Sequence, residues 1–153
     1  MADHSLPVRI ATLGALGRSP FAPGTVGTVV AGVPCAYLSS FLPGWAAALL
    51  LGAVLLLGCY ASHCAEKELG RHDPGQVVID ELAGFLVTMI GLPFTVESVV
   101  LGIAAFRLFD IWKPWPVSVL DERIKGGIGI VLDDVGAGVL AHVLVRIILA
   151  LVH

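Results

Sequence analysis

Residues 45–65 read WAAALLLGAVLLLGCYASHCA, a run without a single Asp, Glu, Lys or Arg. A helix that crosses a bilayer needs about 20 predominantly apolar residues, and this run meets that length. A soluble chain rarely leaves such a stretch uninterrupted by charge. We therefore predict a membrane-spanning helix here, and the rest of the fold follows from it.

The composition of the whole chain supports a lipid environment. Of its 153 residues, 57% are hydrophobic and 14% are charged, against roughly 45–50% and about 25% in soluble domains. The mean hydropathy is +0.92, and a chain this short has too little interior to bury so much apolar surface. The net charge of -3 and the lack of a dense Lys/Arg run argue against nucleic acid as a partner. Membrane lipids are the expected surroundings.

Four further apolar segments are shorter than 45–65 or are interrupted by polar residues. They are residues 24–42, 82–94, 99–112 and 135–152. The pattern predicts an all-α fold, a compact multi-pass transmembrane helical bundle of about 4–5 membrane segments with short connecting loops. We expect one domain over residues 1–153. The two short segments, 82–94 and 99–112, are alternatively interpreted as a helical hairpin within the membrane.

The basic residues fall in alternate connections. They are Arg9 and Arg18, then Lys67 and Arg71, then Lys113, Arg123 and Lys125. The intervening connections, 39–44 and 92–98, contain neither Lys nor Arg, so the positive-inside rule places the charged connections in the cytoplasm. Arg146 interrupts the last segment and is expected either to pair inside the bundle or to reach the interface.

Acidic residues stand at the ends of apolar segments on the predicted cytoplasmic side. They are Asp73, Asp80, Glu81, Asp110, Asp133 and Asp134. Carboxylates beside lipid are costly unless they are paired or bind a metal. The two adjacent pairs are alternatively interpreted as helix N-terminal caps. Asp110 ends its helix and has no such explanation, although an ion pair with Arg107 three residues earlier is an alternative.

Convergence of these acids would create a site for Mg²⁺, which prefers hard oxygen ligands. Arg107 and Lys113 are suited to holding phosphate beside it, and Lys125 precedes the glycine run GGIG. The stretch SPFAPGTVGT, 19–28, adds the hydroxyl of Thr25 and a turn whose backbone N–H groups are suited to an anion, although the same residues also cap helices.

The remaining reactive side chains have structural interpretations. The cysteines, at positions 35, 59 and 64, are expected to be buried small apolar residues. His63 and His142 lie in apolar contexts and are interpreted as packed helix residues. Trp112 and Trp115 suit the level of lipid headgroups as membrane anchors.

Four blocks of the sequence resemble the phosphatidylglycerophosphatase A family, bacterial membrane phosphatases that make phosphatidylglycerol from its phosphorylated precursor. The blocks are SPFAPGTVGT (19–28), VVIDELAG (77–84), FRLFDIWKPWP (106–116) and DERIKGGIGIVLDDVGAG (121–138). Two positions depart from the expected pattern, Thr28 in place of serine and Val131 in place of methionine. Both replacements keep the chemical character of the side chain.

The resemblance implies a Mg²⁺-dependent hydrolase of the terminal phosphate monoester of phosphatidylglycerophosphate, in the bacterial cytoplasmic (inner) membrane with its active site facing the cytoplasm. The residues expected to be catalytic are Asp80, Arg107, Asp110 and Lys113. The expected Mg²⁺ ligands are Asp80, Glu81, Asp110, Asp133 and Asp134, and the expected substrate-binding residues are Thr25, Arg107, Lys113 and Lys125.

Two mechanisms stay open at this point, a carboxylate acting as general base or Asp110 acting as nucleophile. The alternative function is a small membrane transporter or divalent-cation-binding protein without hydrolase activity. In that case the acids would line a cation path across the bilayer.

Overall fold

The computed structural model describes residues 5–152, with residue 121 described by its backbone alone. Its α-helices are α1 (Leu6–Ala11), α2 (Pro23–Gly27), α3 (Val33–Ser39), α4 (Gly44–Leu69), α5 (Ile79–Met89), α6 (Val96–Trp112), α7 (Val117–Arg123) and α8 (Gly126–Val152). A 3₁₀ turn occupies Leu16–Arg18, and a π-helical stretch, Thr28–Gly32, joins α2 to α3. No strand occurs among the described residues, which agrees with the predicted all-α class.

Among the residues that the structure describes, two helices are long and apolar enough to cross a membrane. They are α4, with 26 residues, and α8, with 27, which correspond to about 39–40 Å of helix. Only 11% and 22% of their most apolar windows are buried inside the protein. Apolar surface exposed on this scale suggests membrane association. The span predicted at 45–65 is therefore helical, whereas the predicted total of about 4–5 segments stays a prediction.

Helix α8 is the central element, since α4, α5, α6 and α7 all pack against it. Helix α5 runs parallel to α8: a Cβ placed on Gly138 would lie 3.1 Å from the carbonyl carbon of Gly84, and farther along His142 Nδ1 lies 3.1 Å from the carbonyl oxygen of Thr88. The two glycines allow the helices to approach closely. This approach brings the first turn of α5 beside the aspartates of α8.

Helices α5 and α6 pack against each other as a helical hairpin, whereas the placement of this hairpin within the membrane, the alternative interpretation of the two short segments, stays a prediction. The turn between them contains Gly91, whose φ of +67° is accessible to glycine at little cost. Thr95 begins α6 by accepting a hydrogen bond from the Ser98 backbone N–H at 3.2 Å. Arg146 of α8 donates to the Gly91 carbonyl oxygen at 3.2 Å while its side chain remains exposed.

The core lies between α5, α6 and α8. Phe85 and Phe106 are fully buried and pack with their ring centroids 6.3 Å apart, which sets the spacing of the hairpin helices. The three cysteines are free and half-buried. Trp112 and Trp115 are exposed, which is compatible with membrane anchoring.

Candidate active site

Three carboxylates from two helices meet in one buried group, the acid site, formed by Asp80, Glu81 and Asp134. Asp80 and Glu81 lie in the first turn of α5, and Asp134 lies in α8. Each contributes a carboxylate oxygen, and these atoms all lie within 4.8 Å of one another. Asp80 is 6% exposed and Asp134 is 4% exposed. Residues that are 54 positions apart in the sequence are thus brought together by the parallel packing of α5 on α8.

The acid site holds carboxylate oxygens without hydrogen-bond partners. The buried oxygens that lack a hydrogen-bond partner are Asp80 Oδ1, Glu81 Oε2 and Asp134 Oδ2. Buried polar atoms in proteins almost always have partners, and unpaired buried charge is costly. Hard oxygen donors in this number suit Mg²⁺. The residues present therefore fit a magnesium ion.

Burial also changes the protonation of the two carboxyls that precede the apolar part of α5. Removal from water raises the pKa of Asp80 to about 6. Burial first, and then the neighbouring charge of Asp80, raise the pKa of Glu81 well above its ordinary range. Arg107 opposes the shift at Glu81 and hydrogen bonds oppose it at Asp80, but burial outweighs these favourable contacts at both carboxyls.

Neither pair of acids caps a helix. The N-cap residue of α5 is Val78, and no side chain forms a capping hydrogen bond there. The prediction that Asp133 and Asp134 precede a helix was wrong, because α8 begins at Gly126. The glycine run GGIG is therefore part of α8 and not of the connection before the segment 135–152. Gly127 packs against α4, where a Cβ would lie 2.9 Å from the Cβ of His63.

Arg107 joins the acid site to Asp110. Its Nη1 donates to Asp110 Oδ2 at 2.5 Å and lies 3.7 Å from Glu81 Oε1. The structure thus contains the Arg107–Asp110 ion pair that was the alternative interpretation of these charges, and extends it to a third residue. Arg107 Nε is buried and without a hydrogen-bond partner.

Lys113 and Asp133 form a second pair of opposite charges beside the first. Lys113 Nζ bonds to Asp133 Oδ2, and Asp133 Oδ1 accepts from the Asp134 backbone N–H at 3.0 Å. Both oxygens of Asp133 are therefore engaged. The grouping of three acids includes neither Asp133 nor Asp110, whose assignments as metal ligands stay predictions.

The start of α2 lies against the acid site at Gly24, which belongs to the predicted anion-binding turn 19–28 but was not among the individual residues expected to form the site. A Cβ on Gly24 would lie 2.8 Å from Arg107 Nη1 and 2.9 Å from Glu81 Cδ. The Pro-Gly pair in APGT was the available signal. Thr28 is buried and donates to the Gly24 carbonyl oxygen at 2.9 Å, whereas Thr25 is half-buried in α2 and its substrate-binding role stays a prediction.

Two other predicted residues lie outside the group of three acids. Asp73 is exposed in the connection before α5, although its negative charge is close enough to help raise the pKa of Asp80. Lys125 immediately precedes α8 and lines a groove against α4, together with His63. His63 is exposed, so the prediction that it is a packed helix residue was wrong, whereas half-buried His142 contacts α5 through the Thr88 carbonyl.

Comparison with known proteins gives one consistent family. The chain matches the phosphatidylglycerophosphatase A family over residues 9–149. A phosphatidylglycerophosphatase A of Escherichia coli is 40% identical over 126 residues, 82% of this chain and 73% of the relative. The Haemophilus influenzae protein of the same name is 34% identical over 125 residues, 81% of this chain and 77% of the relative.

A third relative carries a different, provisional name, phosphatidylinositol-3-phosphatase. This Bacteroides thetaiotaomicron protein is 37% identical over 149 residues, 93% of this chain and 92% of the relative. No solved structure matches. The family match and the identities over most of the length show that the chain belongs to the phosphatidylglycerophosphatase A family and is a phosphatase.

Proposed function

We propose that the protein hydrolyses the terminal phosphate monoester of phosphatidylglycerophosphate and leaves phosphatidylglycerol in the bacterial cytoplasmic membrane. Water adds to phosphorus, the bond from phosphorus to the glycerol oxygen breaks, and inorganic phosphate leaves. The observation that carries the proposal is the acid site, three buried carboxylates with unpartnered oxygens beside Arg107. Family membership supplies the class of substrate.

Asp80, Glu81 and Asp134 would hold Mg²⁺. When bound there, the ion supplies positive charge against the phosphoryl oxygens. The region otherwise carries more negative than positive side chains and would repel a phosphate monoester. Its acids are Asp80, Glu81, Asp110, Asp133 and Asp134, and its bases are Arg107 and Lys113.

The two basic side chains are positioned by their acidic partners. Asp110 orients the guanidinium of Arg107, and Asp133 orients the ammonium of Lys113. Preorganised donors of this kind stabilise charge that develops on phosphoryl oxygens in the transition state. The Arg107 guanidinium also approaches Glu81 of the acid site, with Nη1 3.7 Å from Oε1.

Two roles are compatible with the position of Asp110. As a general base it would accept the proton of the attacking water. As a nucleophile it would form a phosphoaspartate that water then hydrolyses. Rapid quenching of the reaction with ³²P-labelled substrate separates the two, since only the second mechanism leaves label on the protein.

The alternative of a transporter requires acids in a file across the membrane. The acids that the structure brings together form one group instead, and the family consists of phosphatases. Exposed apolar surface on α4 and α8 supports a membrane location. The basic connections support an orientation in which the acid site faces the cytoplasm.

Phosphate release by the purified protein in detergent micelles tests the proposal. We expect a chelator to abolish release from phosphatidylglycerophosphate and Mg²⁺ to restore it. We expect Asp134→Asn to reduce release by roughly 1000-fold, since loss of a metal-centred charge interaction is worth several kcal/mol. Glu97→Gln, at the opposite end of the hairpin, is the matched control and should retain activity.

The substrate is tested in the same assay with phosphatidylinositol 3-phosphate. Both lipids present a phosphate monoester, and the provisional name of the Bacteroides thetaiotaomicron relative makes this the relevant competitor. Faster release from the inositol lipid would overturn the assignment of substrate. Undiminished activity of Asp134→Asn would overturn the site, and activity that survives the chelator would overturn the requirement for Mg²⁺.

A further inference from the structure

The contacts between α5 and α8 recur every four residues along both helices. From the acid site outward they join Asp80 to Asp134, Gly84 to Gly138, and Thr88 to His142. Four residues correspond to about 6 Å of α-helix, so the last contact lies about 12 Å from the first. We refer to this row of three contacts as the α5–α8 seam, and the acid site forms one end of it.

The middle contact sets the distance between the two helices. A Cβ on Gly84 would lie 2.6 Å from the Asp134 carbonyl oxygen, and a Cβ on Gly138 would lie 3.1 Å from the Gly84 carbonyl carbon. The backbones of α5 and α8 are therefore in direct contact, one turn from the carboxylates of the acid site. A contact between small residues allows close approach, but it has no directional group that opposes sliding of one helix along the other.

The last contact supplies the directional groups. His142 Nδ1 lies 3.1 Å from the Thr88 carbonyl oxygen, and Nδ1 carries the proton because a carbonyl oxygen only accepts. The Thr88 hydroxyl donates to the Gly84 carbonyl oxygen at 3.0 Å and lies 3.4 Å from the Gly138 carbonyl oxygen. Thr88 is fully buried, so water does not compete for these bonds. Sliding of α5 along α8 would break the bond that joins them.

The metal-free acid site needs such a restraint. Asp80 and Glu81 on α5 face Asp134 on α8, and negative charges at this separation repel each other. The repulsion acts between the two helices and favours their displacement. The contact of His142 with Thr88 opposes this displacement from the other end of the seam.

The register of the two helices also bears on which ion the acid site accepts. Mg²⁺ requires near-ideal octahedral geometry with oxygen distances of about 2.0–2.1 Å, whereas Ca²⁺ accepts about 2.3–2.6 Å in flexible geometry. The three carboxylates come from two helices, so a slide of α5 along α8 changes their spacing. Such a slide would weaken the binding of Mg²⁺ more than the binding of Ca²⁺.

We propose that His142 and Thr88 are positioning residues for the Mg²⁺ site. They fix the register of α5 on α8 and thereby hold Asp80 and Asp134 at a spacing that favours Mg²⁺ over Ca²⁺. They act through the seam, since they lie about 12 Å along the helices from the acid site. The proposal rests on the proposed function, because it takes the acid site as the place where Mg²⁺ binds.

Isothermal titration of Mg²⁺ and of Ca²⁺ into the purified protein in neutral detergent micelles tests the proposal without a lipid substrate. We expect His142→Leu to raise the Kd for Mg²⁺ about fivefold, below the 10- to 100-fold typical of residues that contact metal ligands directly. The Kd for Ca²⁺ should rise by less than about twofold, because the larger ion tolerates displaced carboxylates. The Mg²⁺ concentration for half-maximal phosphate release should rise by the same factor as the Kd for Mg²⁺.

Matched variants separate positioning from a general loss of structure. Asparagine has nearly the shape of leucine and can place an amide N–H close to the position of Nδ1, so His142→Asn should bind both ions within about twofold of the parent. Arg146→Gln removes a hydrogen bond to the Gly91 carbonyl oxygen beyond the end of α5 and should leave both Kd values unchanged. Thr88→Val keeps the shape of the side chain without its hydroxyl. It should raise the Kd for Mg²⁺ about two- to threefold, in line with the strength of one interhelical hydrogen bond.

The proposal is overturned if His142→Leu and His142→Asn bind Mg²⁺ equally well. It is equally overturned if His142→Leu weakens both ions by the same factor, since that describes loss of structure and not a change in spacing. Thr88→Val and Arg146→Gln decide the question if His142→Leu fails to fold. A parent protein that binds no Mg²⁺ would overturn the proposed metal site itself, and this proposal with it, before any variant is compared.

Discussion

The two ends of the helical hairpin differ in whether their polar groups have hydrogen-bond partners. At the turn end, formed by residues 39–44, 90–98 and Arg146, polar groups find partners nearby. Ser39 Oγ donates to the Ala36 carbonyl oxygen at 2.8 Å, Ser98 N–H donates to Thr95 Oγ1, and Arg146 donates to the Gly91 carbonyl oxygen. At the acid site, carboxylate oxygens are buried without partners.

This difference separates polar groups that stabilise the fold from those available to a ligand. Buried side-chain atoms without a hydrogen-bond partner occur at five of the described residues, and four of these lie at or beside the acid site. They are Asp80, Glu81, Arg107 and Asp134. Buried polar atoms without hydrogen-bond partners are expected at functional sites. The contrast between the two ends therefore favours the acid site as the catalytic site.

After the loss of Asp134, removal of the arginine beside the acid site has the largest expected effect on activity. We expect Arg107→Gln to reduce the rate of phosphate release by about 100- to 1000-fold, because a preorganised donor to the developing charge is lost. Initial rates at saturating phosphatidylglycerophosphate measure it. Arg107→Lys keeps the positive charge but not the forked geometry of the guanidinium, so its rate of phosphate release should lie between those of the parent and of Arg107→Gln. A rate within threefold of the parent for Arg107→Gln would mean that the arginine is only structural.

A methyl group at Gly24 tests how closely the acid site is packed. We expect Gly24→Ala to lower activity by roughly 10- to 100-fold, because the new Cβ displaces Arg107 and Glu81, and displacements near 1 Å are costly to catalysis. Gly52→Ala is the matched control, since a Cβ there would meet nothing within 4 Å. Equal activity of Gly24→Ala and Gly52→Ala would show that Arg107 and Glu81 can be displaced without loss of catalysis.

The sequence predicted helix α4 more completely than it predicted the acid site. Residues 45–65 specify a helix through their length and lack of charge, and the structure contains α4 there. The acids at the ends of apolar segments made the convergence of Asp80 and Glu81 with Asp134 a hypothesis, although Asp134 lies inside α8 and not before it. The distinction between Asp134 and its neighbour Asp133 did not follow, because it depends on which direction each side chain takes from α8 and on the reach of Lys113.

The sequence did not predict that α8 begins at Gly126, because this start depends on packing against α4. The run GGIG lies between the charged residues Lys125 and Asp133, so it was interpreted as part of the connection before the last apolar segment, and glycines also lower helix propensity. In the structure these glycines allow close contact with α4, and tertiary packing overrides local propensity. The same contact forms a groove between α4 and the start of α8, which no pattern in the sequence indicated.

The unpartnered carboxylates should make the metal-free acid site a source of instability. We expect Asp134→Asn to stabilise the metal-free protein by about 1–3 kcal/mol, because replacing an uncompensated buried charge with a neutral group removes a desolvation cost. Thermal unfolding in detergent micelles with a chelator measures it. We also expect Mg²⁺ to raise the melting temperature of the parent and not that of Asp134→Asn. A variant less stable than the parent without metal would indicate that Asp134 is compensated by groups already present.

The smallest effect is expected at the turn end. There Arg146, which has a hydrogen-bond partner, is the counterpart of Arg107 at the other end of the hairpin. Arg146→Gln removes the hydrogen bond to the Gly91 carbonyl at an exposed position, so we expect a loss of about 1 kcal/mol or less in the free energy of unfolding. Phosphate release should stay within about twofold, because this contact lies at the opposite end of α5 from Asp80 and Glu81, and changes at distant sites combine independently. A double variant with Arg107→Gln should show additive effects on stability. A large loss of activity in Arg146→Gln alone would mean that the turn of the hairpin controls the position of its first residues, and the two ends would then have to be treated as one functional unit.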